Sequence, residues 1–257
     1  MATDTQHDFT GRAVLITGAG TGIGKATAEL FAARGAFVGI HYNQSKDSAA
    51  RVLAGIEERG GRGALLRADL ADSAQAEALV GQMLAASGDR LDVLINNAGT
   101  PVARASIEEC SLELWNSVIA VNLTAPFLVT KHAIPHLRRT GHGAIVNNLT
   151  LSIQTGGSNG AGPYGAAKGG LQVMTRTLAR ELAPHVRTNS IMPGVVETPH
   201  HEQFTTPERM EQYKKDTPLG RNGQAPEVAE TIVFLASDAA RFINGALLDI
   251  NGGRFLR

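Results

Sequence analysis

Thr17-Gly18-Ala19-Gly20-Thr21-Gly22-Ile23-Gly24 is the stretch on which the reading of this chain turns. It follows a short apolar run, Ala13 to Thr17, and leads into Ile23 to Ala33, where apolar residues recur at helical spacing until Gly35. Glycines at a strand-to-helix turn let the backbone bend tightly, and they bring the free amides of a helix N-terminus up to an anion. The spacing T-G-x-x-x-G-x-G differs from the commoner G-x-G-x-x-G. The strand–turn–helix setting therefore carries the reading as a phosphate cradle, not the spacing alone.

Outward from this turn the same alternation repeats. Phe37 to Tyr42, Ala64 to Arg67, Leu91 to Ile95, Ala144 to Asn147, Thr188 to Met192 and Ala246 to Ile250 read as further strands. Ser45 to Glu58, Ser73 to Ala86, Ile107 to Arg139, Tyr164 to Leu182 and Pro226 to Ser237 read as helices between them. Strands flush with apolar side chains suit a sheet covered on both faces, and regular alternation implies right-handed crossovers. The expected class is α/β, a doubly wound parallel sheet of about seven strands with helices on both faces. Pro126 and Pro135 should bend the long middle helix or mark its end. Residues 199–221 are polar, with helical character only around Pro207 to Tyr213, and are expected to form a substrate-binding loop.

Composition narrows the function classes. At 257 residues and 27.0 kDa one domain over 1–257 is the default expectation, with 1–11 as a flexible tail. The 24 basic and 24 acidic side chains cancel, which argues against a strongly basic nucleic-acid binder and gives no reason to propose a membrane partner. No uninterrupted apolar run approaches the roughly 18 residues of a membrane span. The stretch from Met1 to Thr10 has no apolar core of a secretory signal. A lone cysteine, Cys110, fits a reducing compartment, so a cytoplasmic location is expected.

Two further patterns carry chemistry. Tyr164 and Lys168 open a helix at a spacing of four, which puts both on one face, where an ammonium would lower the phenol pKa toward neutrality. Tyr42 and Lys46 share that spacing, but they straddle a strand end and no helical face joins them. The strand end His41-Tyr42-Asn43-Gln44-Ser45-Lys46 bears no acid where a ribose 2′-hydroxyl would be held. Asn43, Ser45 and Lys46 offer donors to a 2′-phosphate, so NADP is expected over NAD.

Taken together, Thr17 to Gly24, Asn96-Asn97-Ala98-Gly99, Tyr164-x-x-x-Lys168 and Pro193-Gly194 resemble the short-chain dehydrogenases/reductases, single-domain branch, in order, spacing and strand context. The resemblance runs from Ala13 to Gly253 and implies a Rossmann-type NAD(P)-dependent oxidoreductase. It implies that Tyr164 exchanges a proton with the carbonyl oxygen, that Lys168 holds the nicotinamide ribose, and that Asn122 binds a water relaying protons to the lysine. Gly18, Gly20, Thr21, Gly22, Ile23 and Gly24 would hold the pyrophosphate, and Tyr42, Asn43 and Ser45 would meet the adenosine ribose. Asp69 and Leu70 would meet the adenine, with Asp69 also a good helix N-cap. Asn97, Ala98 and Gly99 would line the cofactor, as would Pro193, Gly194, Val196 and Thr198. The implied assembly is a homotetramer, with Leu171, Met174, Leu178 and Leu182 forming one stripe on the helix after Tyr164.

One position departs from the family. Its active-site serine stands about thirteen residues before the tyrosine, and here that residue is Leu151. Register from the strand puts Thr150 in its place, and Ser152 is the alternative. A chain that kept the fold and lost the chemistry, serving as a nucleotide-binding sensor or scaffold, is the second reading. The substrate is a small carbonyl compound or alcohol whose kind the motifs leave open, with His200, His201, Phe204 and Tyr213 as candidate contacts.

Overall fold

Alternate residues of the central strands serve opposite faces of one sheet. In β1 (Ala13–Ile16), Val14 and Ile16 pack into one apolar cluster, and Ala13 and Leu15 into another on the far side. This computed structural model describes residues 7–157, 160–199 and 204–256. β2 (Phe37–Tyr42), β3 (Arg62–Arg67), β4 (Val93–Asn96), β5 (Gly143–Asn148), β6 (Val186–Pro193) and β9 (Leu247–Ile250) complete the sheet with β1. Its seven strands run parallel in the order β3-β2-β1-β4-β5-β6-β9. Two short strands, β7 (Val196–Glu197) and β8 (Gly223–Gln224), pair with each other beyond its edge.

α1 (Gly22–Ala33), α2 (Lys46–Glu58) and α9 (Ala225–Ala236) cover the first face through Phe31, Val52, Ile56 and Ile232. α3 (Ser73–Ser87), α5 (Ala125–Thr140) and α7 (Gly162–Glu181) cover the second through Leu79, Met83, Val129 and Leu178. α4 (Leu112–Ile119), α6 (Ser152–Thr155) and α8 (Pro207–Lys215) complete the set. The doubly wound parallel architecture expected from the alternation is present.

Three expectations need correcting. The N-terminal segment is not loose throughout: Phe9 is fully buried, meets Phe31 edge-on at 4.8 Å, and its N–H donates to the Arg34 carbonyl at 2.8 Å. Burying a phenyl ring outweighs the entropy of ordering a few residues, and truncating such a ring to Ala costs about 3–5 kcal/mol. The stripe Leu171, Leu178 and Leu182 is buried, with Met174 packed beside it, so it faces the core; Val173, Phe127, Leu112 and Trp115 are among the apolar side chains turned outward. Pro135 does not end its helix, which continues to Thr140. Pro126 has the larger effect. It lacks the N–H that Asn122 would receive four residues back, and the ladder widens into a π turn over Ala120–Thr124.

That turn interrupts a helical stretch, Leu112–Thr140, which among the described residues is the one long and apolar enough to cross a membrane. Here Val118 is buried, and Leu128, Val129, Ala133 and Leu137 pack against α3 and the sheet.

Candidate active site

A cleft of about 630 Å³ opens at the carboxyl ends of the strands, where the chain order reverses between β1 and β4. Gly18, Gly20, Thr21, Gly22, Ile23 and Gly24 line one side of it. Thr21 is the N-cap of α1 and makes no side-chain cap bond, so the first-turn amides are left to a ligand. A side chain at Gly24 would collide with the Gly18 carbonyl and come within 2.6 Å of Asn97 Nδ2, so only glycine lets the helix pack this close. Asn97 is the brace: its Nδ2 donates to the Thr17 and Gly18 carbonyls at 2.9 and 3.1 Å. Thr17 Oγ1 accepts in turn from the Asn97 and Ala98 amides.

His41, on β2, braces the same loop from below without belonging to any motif. Its Nδ1 accepts from the Gly18 N–H at 2.9 Å, and its Nε2 faces the Ala68 carbonyl at 3.1 Å. This pair of partners fixes a neutral ring protonated at Nε2, and burial lowers its pKa to about 4. The signal was a histidine inside an otherwise apolar strand.

Tyr42, Asn43 and Ser45 line the cleft at the end of β2, whereas Lys46, exposed at the start of α2, does not. Asp69 and Leu70 line it at the end of β3. The helix cap expected of Asp69 falls instead to Asp72, whose carboxylate accepts from the Ala74 and Gln75 amides; Asp69 closes a local turn by accepting from Ala71 N–H. The five-residue connection between strand and helix moves the cap past Asp69.

On the other side, β5 delivers Asn148 and Thr150 to the cleft. Leu149 N–H donates to the Ile191 carbonyl and Leu151 N–H to Pro193, so extended register persists past the strand end and no bulge intervenes before Thr150. Ser152 begins α6 just behind it, with the two hydroxyls 3.3 Å apart and both on the cleft. Tyr164, in the first turn of α7, lines the same wall.

Lys168 is buried one turn deeper, donating from Nζ to the Asn148 carbonyl at 2.8 Å, with Nζ 5.8 Å from the Tyr164 ring centre. Both groups are shut away from solvent. Burial therefore dominates, pushing Tyr164 up to about 12 and Lys168 down to about 8, against the lowered phenol expected from spacing. Asn122, in the π turn, clamps Thr100: its Nδ2 donates to the Thr100 and Val118 carbonyls, and its Oδ1 accepts from Thr100 N–H at 3.1 Å. A Cβ on Gly99 would lie 2.8 Å from Asn122 Oδ1 and 3.0 Å from Lys168 Nζ, so glycine is what lets these two side chains converge.

Pro193, Gly194, Val196 and Thr198 line the cleft after β6, with the Thr198 methyl group against Gly22. Phe204 and Tyr213 line its outer end, joined by Arg254 from beyond β9. His200 and His201 lie outside the described residues. Asn148 and Arg254 are further cleft residues that no local motif marks.

Comparisons with known proteins agree with this geometry. A sequence model of the family described as enoyl-(acyl carrier protein) reductase matches residues 18–254. Cis-4-hydroxycyclohexanecarboxylate dehydrogenase of Sinomonas cyclohexanicum is 38% identical over 247 residues, 95% of this chain and 97% of that protein. The 3-oxoacyl-(acyl-carrier-protein) reductase of Thermotoga maritima is 38% identical over 244 residues, again 95% and 97% of the two chains. A crystal structure of a short chain dehydrogenase from Burkholderia cenocepacia J2315 in complex with NADP matches with a TM-score of 0.87 at 31% identity, covering 96% of this chain and 98% of that one. The chain belongs to the short-chain dehydrogenase/reductase family and is an NAD(P)-dependent oxidoreductase.

The residues present fit a nicotinamide dinucleotide. The glycine turn is a cradle that side chains would fill, the α1 amides face it, and the buried Asn148 Oδ1 has no partner among the described residues.

Proposed function

We propose that this enzyme interconverts a ketone and a secondary alcohol with NADP(H), using Tyr164 as the general acid and base. The observation that carries this reading is that Tyr164 and Thr150 line one cleft, with Lys168 buried one helical turn beyond Tyr164. Nicotinamide supplies the hydride when bound. In reduction Tyr164 Oη gives its proton to the carbonyl oxygen, and in oxidation it takes that proton back. Thr150 Oγ1 donates to the same oxygen as charge develops. Lys168 retains two N–H donors beyond its bond to Asn148, and these hold the ribose hydroxyls. Asn122, its side chain spent on Thr100, has its carbonyl released by Pro126 to anchor a relay water.

NADP is favoured because Tyr42, Asn43 and Ser45 put no carboxylate against a 2′-phosphate. The whole chain works as one domain in the cytoplasm, with residues 199–221 as the substrate-binding loop. The outward Leu112, Phe127 and Val173 support assembly into a homotetramer, against which a monomeric mass by light scattering at micromolar concentration would count.

The direct test is Tyr164→Phe. It keeps the ring packing and removes only the proton, so folding and NADPH binding should survive while turnover falls by at least about a thousandfold. Near-wild-type turnover would remove Tyr164 from the mechanism.

A further inference from the structure

The substrate end of the cleft carries a cation that nothing described balances. Tyr213, on α8, stands between two guanidinium groups. Arg209 lies 5.3 Å from its ring centre and donates from Nε to its hydroxyl at 2.6 Å. Arg254 lies over the ring at 4.2 Å. Apart from the ring, the Arg254 guanidinium has no hydrogen-bond acceptor and no carboxylate partner among the described residues. Its planar fork of N–H donors is therefore left to solvent or a ligand.

Its mount is rigid. Arg254 N–H donates to the Asn251 carbonyl, Gly253 N–H donates to Asn251 Oδ1, and Asn251 Nδ2 donates to the Phe255 carbonyl. Gly252 and Gly253 rest against Thr217 and Pro218, just past α8. A donor fixed before binding loses little entropy when the ligand arrives.

The charge also sits at the substrate end. Arg254 follows β9, at the edge of the sheet beyond β6, on the half that delivers Thr150 and Tyr164. The phosphate cradle and the Tyr42 and Asp69 strand ends belong to the opposite half, around β1, β2 and β3. Asp69 is the one acid among the described lining residues, and it lies at that opposite end.

We propose that the carbonyl substrate, and its alcohol product, bear a carboxylate that the Arg254 guanidinium, stacked on Tyr213, receives through paired N–H donors. The inference rests on the oxidoreductase reading above, because it places the carboxylate on the half of the cleft that holds the reacting carbon.

Binding to protein saturated with NADP+ separates the two claims, since the oxidised cofactor cannot reduce a ketone. A set of keto acids, each paired with its own methyl ester, is titrated by calorimetry into wild type, Arg254→Leu and Arg254→Lys. The acids should bind at least tenfold more tightly than their esters, with the advantage shrinking as salt is raised. Arg254→Leu should collapse that ratio to near one, and Arg254→Lys, which keeps the charge and loses the fork, should restore part of it. Melting temperatures confirm that the variants are folded. Equal binding of acids and esters by wild type overturns the proposal, as does a loss in Arg254→Leu shared equally by both. Acids that bind through Arg254 but are never reduced with NADPH would sustain this inference and sink the reaction reading. Esters reduced with no preference for the acids would do the reverse.

Discussion

The two halves of the cleft are built by different means. Around β1 and β4 the glycine turn is braced from close by: Asn97 holds the Thr17 and Gly18 carbonyls, His41 holds the Gly18 amide, and Gly24 admits no side chain. Beyond β6 the wall is gathered from Pro193 to Thr198, Phe204, Tyr213 and Arg254, segments distant in sequence that meet only in the folded chain. A phosphate group asks for backbone amides in one geometry, and short glycine patterns supply that geometry locally. A substrate asks for side chains, and tertiary packing can bring those from anywhere.

The comparison can be broken where the halves meet. Next in size to the loss of Tyr164, Thr150→Val should lower turnover about a hundredfold, the scale for one lost oxyanion donor, with no matching fall in melting temperature. Ser152→Ala should cost little, because the register continued from β5 carries Thr150, and Ser152 already belongs to α6. The opposite ranking would move the catalytic hydroxyl onto α6. Small effects from both would favour a binding protein over an enzyme.

A smaller effect sharpens the cofactor side. Tyr42→Asp should shift the preference from NADPH toward NADH by about tenfold, or about 1.4 kcal/mol, through repulsion of the 2′-phosphate. Fluorescence titration that finds the unmodified protein binding NADH better would contradict the assignment of that strand end.

A separate effect concerns stability without cofactor. Lys168 titrates at about 8 when folded and near 10.5 when unfolded, so between these values the unfolded chain holds the extra proton and stability rises with pH. Tyr164 titrates at about 12 folded against 10.0 unfolded, so above pH 10 the unfolded chain sheds a proton first and stability falls. The melting temperature should climb from pH 8 toward 10 and then drop, and Lys168→Met should flatten the climb. A flat profile in wild type would mean that Lys168 is solvated.

This division also explains what could be read from the chain alone. The sheet, the glycine turn and the Tyr164–Lys168 face were legible because strand alternation and helical spacing are local patterns. Phe9 escaped notice because a single aromatic in a polar segment has no period, and its partner Phe31 lies 22 residues further on. The Asp72 cap was missed by three residues, since the turn length between β3 and α3 is set by packing. The phenol's raised pKa has no mark in the sequence, because spacing shows that Lys168 is near but not how deeply the folded chain buries both groups. Arg254 was invisible for the same reason as the rest of the substrate wall.

The central claim is that both halves serve one NADP-dependent ketone reduction, and absorbance of reduced nicotinamide tests it most directly. Wild type and Tyr164→Phe are followed with NADPH and with NADH across a panel of ketones, alongside NADPH binding measured by fluorescence. The account predicts that wild type consumes NADPH faster than NADH with at least one ketone, while Tyr164→Phe binds NADPH as tightly and consumes almost none. Tight binding of NADPH by wild type with no ketone reduced would contradict it and leave a nucleotide-binding sensor.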